Sequence, residues 1–128
     1  AHIVRAALEA MAFQTKDVVD EMLDFLPTFQ TKESLILQVD GGACQNDFLM
    51  QFQSDLLGIP VKRPSFTDIT AYGVVGIAAT AHGYWDYSEF SQSLLEGCDT
   101  FSPTAHASSM HPLYQKWKSA VEKSLHWI

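Results

Sequence analysis

Residues 35–58 limit what this chain can become more than any other stretch. Leu35-Ile36-Leu37-Gln38-Val39 is a short apolar run, Asp40-Gly41-Gly42-Ala43 breaks it, and Phe48, Leu49, Phe52, Leu56 and Leu57 follow at helical spacing. An apolar run bounded by turn residues reads as a buried strand, although periodicity alone also allows a helical segment. Two successive glycines permit positive φ and let another group approach the backbone. The apolar stripe predicts a helix from about Gln45 to Leu57. Gly58 stands where a left-handed C-terminal residue belongs. Strand, glycine turn and helix in this order favour an α/β layer packing.

The flanking sequence extends the pattern. Val4, Leu8, Met11, Val18, Met22 and Leu26 recur at helical steps and predict one amphipathic helix of roughly 25 residues, stopped by Pro27. Ala6, Ala7, Ala10 and Ala12 narrow it for a close neighbour. Thr28–Ser34 is a polar connector containing Phe29. Ile59–Pro64 is extended, and its prolines suggest an edge strand. From Thr67 or Thr70 to Ala81 the residues are small, and Gly73 and Gly76 suggest a helix lying against another backbone. A short helix is expected near Glu89–Leu95, then loop. The last helix is expected from Pro112 as a first-turn proline, with Leu113, Trp117, Ala120, Val121 and Leu125 inward, ending by Trp127. Only two strands are visible. The apolar periodicity starts at Ala1-His2-Ile3-Val4-Arg5 without a cap, so the chain is expected to be a fragment whose missing strands lie upstream.

Composition excludes several classes. At 47% hydrophobic and 18% charged, the 128 residues are globular and not disordered. A net charge of -7, from 15 acidic and 8 basic residues, argues against a general nucleic-acid binder. No apolar run approaches the ~18 residues of a membrane span. Two cysteines cannot build a disulfide framework, and no signal-peptide pattern is visible, so a cytoplasmic chain is the expectation. His2, His82, His106, His111 and His126 lack metal-ligand spacing, and no clustered Cys/His suggests zinc. Cys44 lies near a helix start but has no partner base, which favours inert packing. Asp17, Asp20, Glu21 and Asp24 read as a solvated helix face, and Trp117 and Trp127 as packing residues. There is no phosphate-binding Gly-Lys-Ser/Thr motif and no spaced three-glycine pattern. Asn46 can donate and accept at once, which suits the edge of a base such as adenine; it suits a helix N-cap equally well.

The motifs taken together are more specific. Val39-Asp40-Gly41-Gly42-Ala43, Asn46, Phe48-Leu49-Met50-Gln51-Phe52-Gln53, Asp55, Leu57-Gly58 and Arg63-Pro64 closely resemble the carboxy-terminal domain of the FGGY carbohydrate kinases, in particular those that phosphorylate glycerol. Arg5-Ala6-Ala7-Leu8-Glu9, Ala12-Phe13-Gln14-Thr15, Thr70-Ala71-Tyr72-Gly73, Gly83-Tyr84-Trp85, Tyr114, Trp117, Ala120-Val121 and Trp127 extend the resemblance; Asp86–Met110 matches loosely. Cys44-Gln45, Asp47, Asp68 and Tyr72 depart from the usual pattern.

The resemblance implies part of an actin-like, ribonuclease-H-like ATPase domain, an incomplete α/β sheet with packed helices. Residues 1–128 would form the last portion of the ATP-binding domain, without the amino-terminal domain. Carried over, Gly42 and Asn46 contact the adenosine end of ATP or ADP, and Gly41 and Ala43 line the turn. Magnesium would be held mainly by the nucleotide and residues elsewhere. The family's catalytic aspartate, glycerol-binding residues and first phosphate loop fall outside these residues, so no catalytic residue is expected and residues 1–128 alone should be inactive. A homo-oligomeric full-length kinase is implied, with no nucleic-acid or membrane partner. The alternatives are another polyol or sugar kinase of the family, such as one for xylulose, or a non-catalytic interaction domain that keeps the fold.

Overall fold

The computed structural model describes residues 1–25, 35–65, 68–94 and 96–125. Expectations for Leu26, Pro27, the 28–34 connector, Leu95, His126 and Trp127 lie outside them. In chain order the elements are α1 (His2–Phe25), β1 (Leu37–Gln38), α2 (Asp47–Leu57), β2 (Val61–Arg63), α3 (Ile69–Ala81), α4 (Tyr87–Ser93), β3 (Asp99–Phe101) and α5 (Ala107–Ser124). A 3-10 turn, Gly42–Gln45, lies between β1 and α2.

Three strands form one sheet in the order β1-β2-β3. β1 and β2 are parallel, with Leu37 opposite Val61, and β2 and β3 are antiparallel, with Arg63 opposite Asp99. A parallel pair needs a crossover, and α2 supplies it. The expected edge position of β2 is therefore overturned: it is the central strand. Its prolines lie just outside Val61–Arg63, and Pro60 contributes only its carbonyl, which accepts from the Leu37 N–H at 2.9 Å. No ladder donor is lost. β3 was not expected, since a three-residue strand carries almost no alternation signal.

The core gathers around α2. Leu49, Met50, Phe52, Leu56 and Leu57 are buried there, with Ala12 and Phe13 of α1, Val61 of β2 and Tyr114 of α5. The Phe13 ring meets Phe52 edge-on at 5.7 Å and stacks on Trp117 at 5.4 Å. Burying one such ring contributes about 1.5–3 kcal/mol. The face of α1 that packs is thus the one bearing Ala12 and Phe13. Of the expected stripe, Leu8 packs against the core, whereas Val4, Met11, Val18 and Met22 are exposed. Of the four alanines expected to narrow the helix, Ala12 is fully buried in the contact, whereas Ala6 and Ala7 are exposed.

The acidic face of α1 also needs correction. Asp17 accepts hydrogen bonds from Tyr114 Oη, from Trp117 Nε1 at 3.0 Å and from Lys118 Nζ at 3.3 Å. Burial works to raise its pKa, but those three donors outweigh burial and hold the carboxyl below its ordinary range. One side chain thus fastens α1 to α5. In α5 itself, Pro112 stands inside the helix, because the helix already begins at Ala107. Ala120 and Leu125 are exposed and not inward.

α3 and α4 pack on each other. Gly76 is buried beneath the Phe90 ring, and a Cβ there would fall 2.0 Å from Phe90 Cε2. The close neighbour is a ring and not a backbone, and a Cβ at Gly73 would meet nothing within 4 Å.

Two outcomes follow for stability. Gly76→Ala should destabilise the protein by about 1–3 kcal/mol despite its better helix propensity, while Gly73→Ala should raise the melting temperature, by up to about 1 kcal/mol of stability. Thermal melts that rank the two the other way would contradict the packing. Asp17→Asn should cost about 1–3 kcal/mol at neutral pH. Because the folded pKa is depressed, that contribution is complete above the unfolded carboxylate pKa of about 4 and fades as pH falls through the lower folded value. Melts of both proteins should therefore begin to converge as pH falls below about 4 and meet only below the depressed folded value.

Candidate functional site

The glycine turn and the start of α2 form an exposed shelf beside the carboxyl end of β1. Gly41 has φ 95° and ψ 172°, a backbone conformation essentially restricted to glycine. Its N–H donates to Asp40 Oδ1 at 2.6 Å, which starts the turn. The Gly41 carbonyl then accepts from the Cys44 N–H at 3.1 Å and from Cys44 Sγ at 2.8 Å. Cys44 is buried, in keeping with the packing role expected of it, and both it and Cys98 are free thiols.

Gly42 is different. Its φ is not positive, and a Cβ placed on it would meet nothing within 4 Å. Neither conformation nor packing among the described residues requires glycine there. Gly42 and Ala43 are exposed, and their N–H groups open the 3-10 turn, where no intrahelical carbonyl can accept them. This leaves an uncluttered strip of backbone donors.

Asn46 closes the strip. Its Oδ1 accepts from the Leu49 N–H at 3.0 Å, so it is the N-cap of α2. Its side chain is exposed, and the cap uses only the acceptor. The amide donor faces no partner among the described residues, so capping and recognition do not exclude each other. At the far end of α2, Gly58 adopts φ 69° and its N–H returns to the Ser54 carbonyl at 2.9 Å, as its position predicts. The turn therefore brings Gly41, Gly42, Ala43 and Asn46 together on one exposed surface.

Two residues that sequence reasoning gave no role tie the turn and α2 to the rest of the fold. Arg63 of β2 donates through Nη1 to the Cys44 carbonyl at 2.9 Å and to Asp47 Oδ1 at 2.7 Å, and through Nη2 to Asp99 Oδ2 at 2.8 Å. The hydrogen bonds to Asp99 first, and then to Asp47, raise its pKa further. Asp55, buried in α2, accepts from the Thr104 N–H at 2.6 Å and Thr104 Oγ1 at 2.9 Å, and so ties the chain after β3 to the helix. The sequence signals for Arg63 were its place between two prolines and its part in the Arg63-Pro64 motif, and neither says anything about its partners.

Among the described residues no three His, Cys, Asp or Glu side chains converge as a metal site, and no helix is long and apolar enough to cross a membrane. The shelf presents backbone N–H groups and the Asn46 amide to solvent. Trp117, stacked on Phe13 and bound to Asp17, packs as expected.

Comparison with known proteins gives this shelf a context. The chain is 47% identical over 98% of its length to a glycerol kinase of Aquifex aeolicus (strain VF5), and 48% identical over 99% to one of Pseudothermotoga lettingae. It spans about a quarter of the length of these relatives, 25% in each case. A crystal structure of Plasmodium falciparum glycerol kinase with ADP matches 99% of the chain with a TM-score of 0.82 and 29% identity, again over 25% of that protein. The model of the FGGY family of carbohydrate kinases, C-terminal domain, matches residues 1–82 of the 128. With that match over most of its length, and with the mixed α/β fold in place, the chain belongs to the FGGY family of carbohydrate kinases.

Proposed function

We propose that residues 1–128 are the carboxy-terminal portion of the ATP-binding domain of a glycerol kinase, an enzyme that transfers the γ-phosphoryl group of ATP to glycerol. The observation that carries this is the identity of 44–48% with proteins named glycerol kinase, sustained over 98–100% of the chain. Such continuity favours glycerol over another sugar or polyol. It is supported by a solved relative, with ADP, that matches nearly the whole chain.

In this role the shelf holds the nucleotide and does not perform the chemistry. Phosphoryl transfer depends mostly on alignment and charge stabilisation, so a rigid nucleotide cradle contributes by positioning. Gly42 would let the adenosine end lie close against the backbone, Gly41 and Ala43 would shape the turn, and the Asn46 amide would donate to the base. Gly41 is needed for its φ; Gly42 is needed for the room it leaves. Magnesium would arrive with the nucleotide phosphates, its coordination completed mainly by residues elsewhere in the full-length enzyme. A cytoplasmic, homo-oligomeric enzyme is the setting we propose.

Purified full-length enzyme should phosphorylate glycerol with ATP; turnover of xylulose and not of glycerol would overturn the substrate assignment. Three variants separate binding from folding. Gly41→Ala should cost about 1–3 kcal/mol of stability through its backbone conformation. Gly42→Ala should leave the melting temperature unchanged or higher, yet raise the KM for ATP about three- to tenfold, equivalent to roughly 0.7–1.4 kcal/mol. Asn46→Ser retains a good cap, so the fold should hold while the KM for ATP rises by one hydrogen bond, about 0.5–1.5 kcal/mol. Unchanged ATP kinetics in both Gly42→Ala and Asn46→Ser would remove the shelf from the nucleotide site.

A further inference from the structure

We infer that Arg63 is a positioning residue for nucleotide binding: it fixes the glycine turn to the sheet so that the exposed N–H groups and the Asn46 amide hold one orientation. This rests on the shelf being the nucleotide-contacting surface. The turn's other hydrogen bonds are local. Gly41 bonds to Asp40 and Cys44, and Asn46 bonds to Ala43 and to the first turn of α2. Among the described residues, the one hydrogen bond reaching residues 41–45 from a distant element is that from Arg63 Nη1 to the Cys44 carbonyl. The same nitrogen holds Asp47 at the start of α2, while Nε and Nη2 both hold Asp99 Oδ2, at 3.2 and 2.8 Å.

One planar group thus joins four points: β2, the end of the turn, the start of α2 and the beginning of β3. The Arg63 side chain is only 13% exposed, and its guanidinium lies 5.1 Å over the Phe101 ring, so its plane is held as well as its charge. Charge-assisted bonds in a fixed fork give directional control that a flexible ammonium cannot reproduce. Loss of the brace would leave the turn's local bonds intact but free its tilt relative to the sheet, and small misplacements of binding groups are costly.

The test uses the full-length enzyme with Arg63→Lys, and Gly76→Ala as a variant destabilised far from the turn. Calorimetric ADP affinity, the KM values for ATP and glycerol, kcat and thermal melts are measured well below each melting temperature. A positioning role predicts that Arg63→Lys weakens ADP and raises the KM for ATP about five- to tenfold, with kcat and the KM for glycerol within about twofold. Gly76→Ala should lose stability with ADP affinity unchanged. If Arg63→Lys does not fold, Asp47→Asn removes one charged arm and should weaken ADP about two- to threefold. An Arg63→Lys or Asp47→Asn enzyme that melts earlier but binds ADP like the wild type would overturn the inference and leave the nucleotide shelf standing. Failure of the wild-type enzyme itself to bind ADP would overturn both.

Discussion

A helix buried on almost every side governs this structure. α2 places Leu49, Met50, Phe52, Gln53, Ser54, Asp55, Leu56 and Leu57 out of solvent, and α1, α5 and the sheet all pack on it. Such a helix must satisfy its polar groups within the protein, because an unpaired buried donor or acceptor costs about 1–3 kcal/mol. Ser54 Oγ meets the Ile59 and Phe101 carbonyls, each at 2.9 Å, and Asp55 takes Thr104. Its ends are closed by Asn46 and Gly58. No buried side-chain nitrogen or oxygen among the described residues lacks a partner. The glycine turn and Asn46 lie at the N-terminal end of this same helix, so the proposed nucleotide surface is carried by the element on which the core packs.

How much of this was legible depended on whether the cause was local. Gly58 and Asn46 announced the ends of α2 because left-handed φ and side-chain capping are properties of the residues themselves. The glycine turn was legible for the same reason, and the motif order around it identified the family. What failed was long-range. Nothing in Asp17 foretells Tyr114, Trp117 and Lys118, which meet it only after the whole domain has closed. The partners of Arg63 at Cys44, Asp47 and Asp99 come from three separate elements.

The misread faces teach a finer lesson. α1 carries two apolar surfaces: Val4, Met11, Val18 and Met22 of the periodic stripe are exposed, while Ala12, Phe13 and the partly buried Leu8 make the contact. Close approach of two backbones favours the narrow face, and hydrophobic periodicity weighs only side-chain size and spacing. Gly73 and Gly76 show the same limit: both lie in α3, yet only Gly76 faces a ring. Gly41 and Gly42 divide likewise, one required by its own backbone and the other by nothing within the described chain.

That division is where the nucleotide assignment is most exposed to test. Amide hydrogen exchange of the full-length enzyme, resolved to single residues and run with and without ADP, addresses it directly. Binding should slow exchange at Gly42 and Ala43, whose N–H groups have no intrahelical acceptor, while the outer amides of α5 remain as they were. Saturating ADP that protects other parts of the enzyme but leaves exchange at Gly42 and Ala43 unaltered would contradict the assignment.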